Sequence, residues 1–434
     1  MKTIKSQKLW SEALEAIAGG NMLLSKRPDL HLPEKWPVYF NKAKGCFVWD
    51  LDNNKFIDFS LMGVGTNILG YANSQIDNAV ISVIKKSISC TLNCKEEVKL
   101  AQKLIKLHPW ASQVKFARTG GEANAIAVRI ARSVTGTEKI AFCGYHGWHD
   151  WYVSSNLNKS TNLSKHLLDG IATSGVANSL KNTSFPFEYN KINQLENLLK
   201  KNIKIIFMEV KRNLEPKNNF LKNVRKLANK YNAVLIFDEC TSGFRETFGG
   251  LHLKYNVNPD LAVFGKALGN GYAITAVIGR SNLMKQVEKS FVSSTFWSER
   301  VGPTAAIKTL QVMEKSKSWL IICKKGKYIK KQIIKIAKNN NDFVTINGLD
   351  SHIIITFKKN HNLIKTFFTQ EMLKRGFLAT NVIFISISHT NKIIKSYLSN
   401  LKEVFEIIGN NLNNKNYFLK RVSKEATIGF KRVN

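Results

Sequence analysis

One lysine stands at the end of an apolar run, inside a glycine-rich loop that leads into a second apolar run. The segment is Asp260–Gly279, with the sequence DLAVFGKALGNGYAITAVIG, and the lysine is Lys266. The pattern predicts a buried strand, a loop and a second buried strand. An amine held at the mouth of a sheet and partly removed from water suits Schiff-base chemistry. Because most lysines are exposed, the alternative is a surface lysine on an ordinary connection.

A second apolar run, about thirty residues earlier, ends in two acidic residues. Ala233–Phe237 precedes Asp238 and Glu239, and Gly243 follows in a turn. Ligands of open α/β sheets bind at the carboxyl ends of parallel strands. A carboxylate at that place can keep a pyridinium nitrogen protonated, which makes pyridoxal phosphate an electron sink. Alone, the acidic pair is more often a helix cap or a metal site, but its spacing from Lys266 favours the cofactor.

A phosphate site is predicted where a strand turns into a helix. The sequence from residue 114 to 132 is VKFARTGGEANAIAVRIAR, in which apolar residues recur at helical spacing after Gly120 and Gly121. A helix amino terminus presents free N–H groups and a positive dipole end, so these two glycines can cradle a phosphate. The alternative is an ordinary helix whose cap is the Thr-Gly-Gly-Glu turn.

An aromatic residue between glycines is predicted to stack on the cofactor ring. In IAFCGYHGWHD, residues 140–150, Tyr145 follows the end of a strand, where its face can lie against a pyridine ring. The rival interpretation is a metal site. Its candidate ligands are Cys143, His146, His149 and Asp150. We expect no metal, because the chain has no second Cys/His pair and the flanking aromatics suit a cofactor wall.

Together these motifs resemble the class III, fold type I, pyridoxal-phosphate-dependent aminotransferases, and most nearly the glutamate-1-semialdehyde 2,1-aminomutase branch. The resemblance runs from about Gly19 to about Phe405. The family pattern Asp-Glu-hydrophobic-x-Thr-Gly-x-Arg matches Asp238 to Arg245, with Ser242 in place of the threonine. The resemblance implies an α/β fold. A large domain with a mostly parallel central sheet flanked by helices would be joined by a small α+β domain built from both chain termini.

The resemblance also implies the roles of individual residues. Lys266 would form the Schiff base and move protons, while Asp238 would bind the ring nitrogen. Two further positions are assigned only by the resemblance: Glu209 near the cofactor, and Thr295 on the phosphate bound by a neighbouring subunit. A threonine used in this way implies a homodimer with a shared active site.

The substrate is where this sequence departs from the aminomutases. Asn381 stands where they have an active-site glutamate, and Arg27 lies in an altered amino-terminal motif, where it is a candidate for binding a substrate carboxylate. Cys240 replaces the usual valine against the ring. The reaction therefore stays open between transfer from a small-molecule amino donor to a carbonyl acceptor and an intramolecular aminomutase reaction. A decarboxylase or racemase of the same fold and a non-catalytic binding protein are the alternatives.

Length and composition agree with a multi-domain cytoplasmic enzyme. We expect an amino-terminal arm at residues 1–60, a large cofactor-binding α/β domain at 61–300 and a small α+β domain at 301–434. The net charge of +34 comes from lysines spread over helix faces, and no nucleic-acid signature accompanies it, so we expect no nucleic-acid partner. No apolar run approaches the roughly 18 residues of a membrane span. The six scattered cysteines indicate reduced thiols.

Three local expectations complete the sequence-based predictions. Asp52-Asn53-Asn54 lies between two alternating apolar runs and predicts a hairpin turn. Residues 165–180 show the weakest pattern and predict a loop near the active site. The polar, basic tail after Asn410 is expected to pack weakly.

Overall fold

The computed structural model describes residues 3–157 and 172–427, which form two compact units. The small unit joins residues 3–73 to residues 321–427, and the large unit contains residues 74–157 and 172–320. The boundaries lie after residues 73 and 320 instead of 60 and 300, because the helical segments 74–84 and 301–316 pack against each other in the large unit. Of the loop predicted at 165–180, residues 165–171 lie outside the described part of the chain.

The strands differ in burial between the two units, and those of the large unit are the more apolar. Within the described residues they are β1 (Phe40–Lys44), β2 (Phe47–Asp50), β3 (Lys55–Phe59), β4 (Gln113–Ala117), β5 (Ile140–Cys143), β6 (Ser184–Pro186), β7 (Ile205–Glu209), β8 (Val234–Asp238), β9 (Leu261–Phe264), β10 (Thr275–Gly279), β11 (Val344–Leu349), β12 (His352–Phe357), β13 (Phe377–Ala379) and β14 (Val382–Phe384). Every residue of β5 and of β7 to β10 is buried.

The helices range from single turns to nearly six turns. Within the described residues they are α1 (Ile4–Ala16), α2 (Met62–Gly65), α3 (Ser74–Ile84), α4 (Lys95–Leu107), α5 (Gly120–Thr135), α6 (Asp150–Val153), α7 (Ile192–Leu199), α8 (Phe220–Lys230), α9 (Ser281–Met284), α10 (Val301–Ser316), α11 (Ser318–Lys338), α12 (His361–Lys374), α13 (Asn391–Asn410) and α14 (Lys415–Leu419). None of these helices combines the length and the apolar character that a membrane crossing requires.

The large unit is built on a seven-stranded sheet, in the order β4-β10-β9-β8-β7-β5-β6. β10 runs antiparallel to β4 and β9, and the other pairs are parallel. The predicted mostly parallel sheet is therefore confirmed. Continuous apolar strands such as VLIFD in β8 are typical of sheets covered on both faces. Helix α5 packs on β4, β7, β8, β9 and β10, so it covers the middle of one face of the sheet.

Helix α5 begins and ends where its local sequence dictates. Glu122 accepts a hydrogen bond from the backbone N–H of Thr119, and the hydroxyl of Thr119 accepts one from the backbone N–H of Glu122. This capping box fixes the start of the helix at Gly120. Gly136 ends it with a φ of 63°, a left-handed conformation that glycine adopts at low cost.

The small unit draws its main sheet from both ends of the chain. β13 pairs in parallel with β3, which completes the order β1-β2-β3-β13, while β11, β12 and β14 form a separate antiparallel sheet. The predicted hairpin joins β2 to β3, and the Asp50 carboxylate accepts the N–H groups of Asp52 and Asn54 in its turn. The small α+β domain built from both termini is confirmed.

The expectation that the tail after Asn410 packs weakly is wrong. Helix α14 lies against α12, and Phe418 is fully buried with its ring 5.1 Å from that of Phe367. Val422 and Ala426 are buried as well. Three apolar residues spaced four apart in a polar segment are enough to fasten it.

Candidate active site

Three predicted site residues lie at one edge of the large sheet. Glu209 ends β7 and Asp238 ends β8, and the two are directly paired in register. β9 lies next to β8, and Lys266 comes two residues after β9 ends. The carboxyl ends of adjacent parallel strands thus bring two carboxylates and an amine to the place where such sheets bind ligands.

Asp238 is buried and held by three hydrogen bonds. Its Oδ2 accepts from Nδ1 of His146 at 2.9 Å and from Nδ2 of Asn124 at 3.0 Å, and its Oδ1 accepts the N–H of Cys240 at 3.0 Å. Burial alone raises the pKa of this carboxyl, but the bonds from His146, Cys240 and Asn124 outweigh it and leave the pKa of Asp238 below its ordinary value. Asp238 is therefore ionised at neutral pH, although only 4% of it is exposed.

Lys266 is half-buried at the start of a short 3-10 helix. Its φ is 44°, in the left-handed region that residues other than glycine seldom adopt. Conformations of this kind cost on the order of 1–3 kcal/mol and concentrate at functional sites. Its Nζ donates a hydrogen bond to Oγ1 of Thr241 at 2.7 Å. The loop therefore holds the amine beside the turn that follows Asp238.

The two glycines of the predicted phosphate turn lie close to neighbouring side chains, and at Gly121 the space excludes a Cβ. A Cβ on Gly121 would lie 2.6 Å from the imidazole of His149, and one on Gly120 would lie 3.4 Å from Sγ of Cys240. A Cβ on Gly265 would also be 3.4 Å from that sulfur. The start of α5, Cys240 and the entrance to the lysine loop therefore surround one small region. Burial raises the pKa of the Cys240 thiol well above its ordinary value, so it is a neutral wall of that region.

Tyr145 and Glu209 are linked through the backbone. The N–H of Tyr145 donates to Oε2 of Glu209 at 3.1 Å, and Nη1 of Arg212 donates to Oε1 at 2.6 Å. Glu209 and Arg212 are each about 4% exposed or less, so their charges neutralise each other inside the protein. The half-buried ring of Tyr145 packs on the same apolar core as Cys240. The sequence predicted that Glu209 lies near the cofactor. The structure shows that its carboxylate holds the backbone of Tyr145, just after β5.

Thr295 is exposed in a short 3-10 helix, Thr295–Ser298. The segment after it is fastened to its own subunit, because Arg118 donates to the carbonyl oxygens of Trp297 and Glu299 and pairs with the Glu299 carboxylate at 2.9 Å. Arg118 immediately precedes the phosphate turn. The predicted role of Thr295 on a neighbouring subunit stays a prediction.

Arg27 and Asn381 belong to the small unit. Nε and Nη2 of Arg27 donate to the two carboxylate oxygens of Asp29, at 3.0 and 3.2 Å. Asn381 borders β12, where its backbone carbonyl accepts the N–H of Ile355 at 2.8 Å. Arg27 is thus already paired with an acid, and the substrate roles of both residues stay predictions.

Three residues of this site escaped the sequence-based predictions. Asn124 lies on the buried face of α5 beside Ala123 and Ala127. A polar residue among apolar ones on a helix face could have indicated a site residue there. His146 was weighed only as a metal ligand, whereas its Nδ1 holds Asp238. Thr241 carried no signal, because its contact with Lys266 depends on how two loops fold. Within residues 3–157 and 172–427 no group of three metal-ligating side chains occurs.

Comparison with known proteins identifies the class of this site. Residues 32–398 match the family Aminotransferase class-III, and the chain belongs to that family. It is 36% identical to the 3-aminobutyryl-CoA aminotransferase of Cloacimonas acidaminovorans (strain Evry) over 371 residues, 83% of this chain and 85% of that protein. It is 30% identical to the glutamate-1-semialdehyde 2,1-aminomutase of Sulfurisphaera tokodaii over 424 residues, 92% of this chain and 99% of that protein.

A solved structure shows the same fold at lower sequence identity. The pyridoxal-phosphate internal aldimine form of the Sphingopyxis sp. MTA144 FumI protein superposes with a TM-score of 0.84 at 23% identity, covering 94% of this chain and 97% of that one. The chain is thus a pyridoxal-phosphate-dependent enzyme of the aminotransferase or aminomutase kind. It takes small-molecule amino donors and acceptors as substrates.

The residues present fit pyridoxal 5'-phosphate. A carboxylate can accept about four hydrogen bonds, and Asp238 accepts three from the described residues, so Oδ1 retains room for a ring N–H. The glycine turn at the start of α5 offers N–H groups that have no acceptor within the helix. The Lys266 amine lies two residues beyond the adjoining strand.

Proposed function

We propose that Lys266 carries the cofactor and that the chain transfers an amino group between two different small molecules. The observation that carries this proposal is that Lys266 and the ionised, buried Asp238 both lie at the carboxyl ends of neighbouring strands. Gly120 and Gly121 would bind the phosphate, and Tyr145 would lie against the ring. Glu209 would act through Tyr145, whose backbone it holds.

The mechanism follows from what each side chain can do. When bound, pyridoxal phosphate supplies a conjugated ring that accepts the electron pair of a broken substrate C–H bond. The Lys266 amine is placed to take the proton released at that carbon and to return it at a neighbouring atom. Asp238 would accept the ring N–H, and it stays ionised because His146, Cys240 and Asn124 all donate to it. Its charge is thereby aimed at the position where positive charge must be kept.

Two features favour intermolecular transfer over the aminomutase reaction. The 3-aminobutyryl-CoA aminotransferase shares a larger fraction of residues than the aminomutase does, 36% against 30%. In addition, the position that resembles the active-site glutamate of the aminomutases is the neutral Asn381. We propose that the acceptor is a small carbonyl compound and that the donor is a small amine. Arg27 is a candidate for binding a carboxylate of the substrate. The aminomutase reaction remains the second candidate, supported by relatives that match over nearly the whole chain.

The test uses single amino donors and matched lysine variants. Wild-type protein should change its visible absorbance with an amino acid or amine and release the corresponding carbonyl compound, without any acceptor present. Lys266→Ala should abolish turnover, whereas Lys230→Ala, at an exposed lysine of the same unit, should leave it unchanged. Borohydride reduction followed by peptide mapping should place the cofactor on Lys266. Label on another lysine would overturn the assignment, and conversion only of a molecule that bears both amine and carbonyl would establish the aminomutase.

We further propose that the enzyme is a cytoplasmic homodimer in which Thr295 completes the phosphate site of its neighbour. Phe291 and Phe296 are 91% and 74% exposed on either side of Thr295, and Trp148 is 74% exposed near the predicted ring site. Aromatic residues with so much apolar surface in water are typical of interface centres. The absence of a disulfide at any of the six described cysteines supports the cytoplasmic location.

Subunit mixing tests the shared site. A dimer of one Lys266→Ala chain and one Thr295→Ala chain has one site with both lesions and one with neither. Each mixed dimer should therefore have about half of the activity of a wild-type dimer. A fully active monomer in sedimentation, or no recovery from two folded variants, would exclude the shared site.

A further inference from the structure

Thr241 occupies a rigid place beside the proposed catalytic amine. It lies in the turn after β8 and is 6% exposed. Its carbonyl oxygen accepts a hydrogen bond from Nε of Arg245 at 2.6 Å, and Arg245 itself is 1% exposed. The same turn is closed by a bond from the N–H of Gly243 to the carbonyl of Glu239 at 2.8 Å. These two bonds hold the backbone of the turn, and with it the position from which the Thr241 side chain extends.

The hydroxyl is matched to an amine that must change its charge. Nζ of Lys266 lies 2.7 Å from Oγ1 of Thr241. A hydroxyl can accept a hydrogen bond from an ammonium group and can donate one to a neutral amine. A carboxylate in its place would hold the lysine as an ammonium ion. Thr241 can therefore keep Nζ in one position while its protonation state alternates.

We propose that Thr241 is the positioning residue of the Lys266 amine, holding Nζ in both protonation states through Oγ1. The importance of this contact for turnover rests on the proposed function, whereas the contact itself does not. The left-handed backbone of Lys266, with a φ of 44°, orients the side chain from one end, and Thr241 fixes it at the other.

The first test measures the amine directly, without turnover. Lys266 in the full chain freed of cofactor is acetylated with acetic anhydride, and its labelling is followed by peptide mass spectrometry between pH 7 and pH 10. Thr241→Val keeps the shape of the side chain and removes the hydroxyl, so the ammonium form loses the hydrogen bond to Oγ1. Lys266 should then react about tenfold faster near pH 7, the size expected because a hydrogen bond to the charged ammonium group is stronger than one to the neutral amine, and the excess should shrink as the pH rises.

Two variants make the result specific. Thr241→Ser restores the hydroxyl and should return the labelling rate and its pH profile to within about twofold of wild type. Thr309→Val removes a hydroxyl from another fully buried threonine of the large unit, on α10, and should change neither. Wild-type behaviour of Thr241→Val, failure of serine to restore it, or an equal effect of Thr309→Val would each overturn the proposal.

Turnover is measured separately on the cofactor-loaded enzyme. Thr241→Val should lower kcat about tenfold with little change in KM, because the amine is misplaced while the substrate still binds; Thr241→Ser should stay near wild type. An unchanged kcat in Thr241→Val would overturn the catalytic part of the proposal. Failure of the underlying assignment would be distinct, since borohydride mapping would then find the cofactor on a lysine other than Lys266.

Discussion

Asp238 and Glu239 are neighbours at the end of β8, and their side chains enter two different regions of the large unit. Each is a buried carboxylate that faces Nδ1 of a histidine at 2.9 Å, His146 for Asp238 and His252 for Glu239. In both cases burial raises the pKa, but the hydrogen bonds outweigh it and leave the pKa below its ordinary value. By pKa and by distance alone the two pairs are nearly the same.

The core side, around Glu239, is a closed hydrogen-bond network. Oε1 of Glu239 accepts from both the backbone N–H and Nδ1 of His252, and Oε2 accepts from the hydroxyl of Ser242. Nε2 of His252 in turn accepts from Nε1 of Trp110 at 3.0 Å. Because Nε2 accepts from Trp110, the proton of this ring lies on Nδ1, and both ring nitrogens of His252 have a partner.

The cofactor side, around Asp238, is incomplete. In the described part of the chain, Nε2 of His146 and Oδ1 of Asn124 are buried without a partner. Buried polar atoms of this kind are rare and call for an explanation. The difference teaches that a low carboxylate pKa does not distinguish a site from a structural pair. The two pairs differ instead in their surroundings, because among the described residues Nε2 of His146 and Oδ1 of Asn124 have no partner, whereas both ring nitrogens of His252 have one.

The largest expected effect separates the two carboxylates by activity. Asp238→Asn should lower kcat/KM by roughly 10²–10³-fold, the cost of removing a main electrostatic stabiliser, because a neutral amide cannot keep the ring nitrogen protonated. Glu239→Gln is the matched control and should stay within about threefold of wild type. Steady-state kinetics with the best amino donor, on protein with its cofactor content measured by absorbance, decides between them.

Both amide variants should fold, for reasons that differ between the sides. In Asp238→Asn, His146 can move its proton to the unpartnered Nε2 and accept from the new amide. Nδ2 of Asn124 loses its acceptor at position 238 but keeps its bond to the carbonyl of His146. On the core side, the amide of Glu239→Gln can donate to Ser242 while its oxygen keeps both bonds to His252. Near-normal turnover in Asp238→Asn would show that this carboxylate is structural, and a large loss in Glu239→Gln would erase the distinction between the sides.

The second effect concerns stability. Glu239→Met keeps the length of the side chain but leaves the backbone N–H and Nδ1–H of His252 without an acceptor, and Trp110 prevents the ring from shifting its proton. The cost should be about 3 kcal/mol, which lowers the unfolding temperature by roughly 6–12 °C for a unit of this size. Calorimetry on Glu239→Met beside Glu239→Gln measures it. Equal unfolding temperatures for the two variants would contradict the closed network.

Short-range sequence patterns were enough to predict where β8 and β9 end. Asp238 and Lys266 each follow an apolar run whose burial fixes where the strand stops, so their place at one sheet edge followed from the sequence. Asn124 and Thr241 were not predictable in the same way, because their partners lie 114 and 25 residues away. Side-chain contacts between loops depend on how the whole unit packs, which local periodicity does not record.

The domain boundaries and the tail show the same limit. The pairing of β13 with β3 joins segments more than three hundred residues apart, and only the family resemblance predicted that both termini build one unit. Phe418 lies in a segment whose composition is polar and basic, so its burial against Phe367 was missed. One buried aromatic residue can anchor a polar segment to a helix, as Phe418 does against α12. The average composition of the segment does not reveal such a residue.

The smallest predicted effect is a pH dependence of stability caused by His108, which lies beside His252 at the edge of the core side. Burial lowers the pKa of His108 to about 4, although the hydrogen bond from Nδ1 to the carbonyl of Leu104 acts in the opposite direction. Nε2 accepts the N–H of Gly250 at 2.9 Å. His252 and Glu239 are the charged or titratable groups that act on it. The unfolded chain has an ordinary histidine pKa near 6.5, so between about pH 6.5 and pH 4 the unfolded state binds the additional proton.

Stability must therefore fall as the pH is lowered through that window. The contribution of His108 is about 2 kcal/mol at pH 5, which corresponds to roughly 4–8 °C in unfolding temperature. His108→Gln can keep one donor and one acceptor but has no proton to gain, so from pH 7 to pH 5 its unfolding temperature should drop by that much less than that of wild type. His31 and His389 in the small unit also have a pKa lowered to about 4 and contribute equally to both proteins, so the difference isolates His108. Parallel pH profiles for the two proteins would show that water reaches His108, and that the core side is open at this edge.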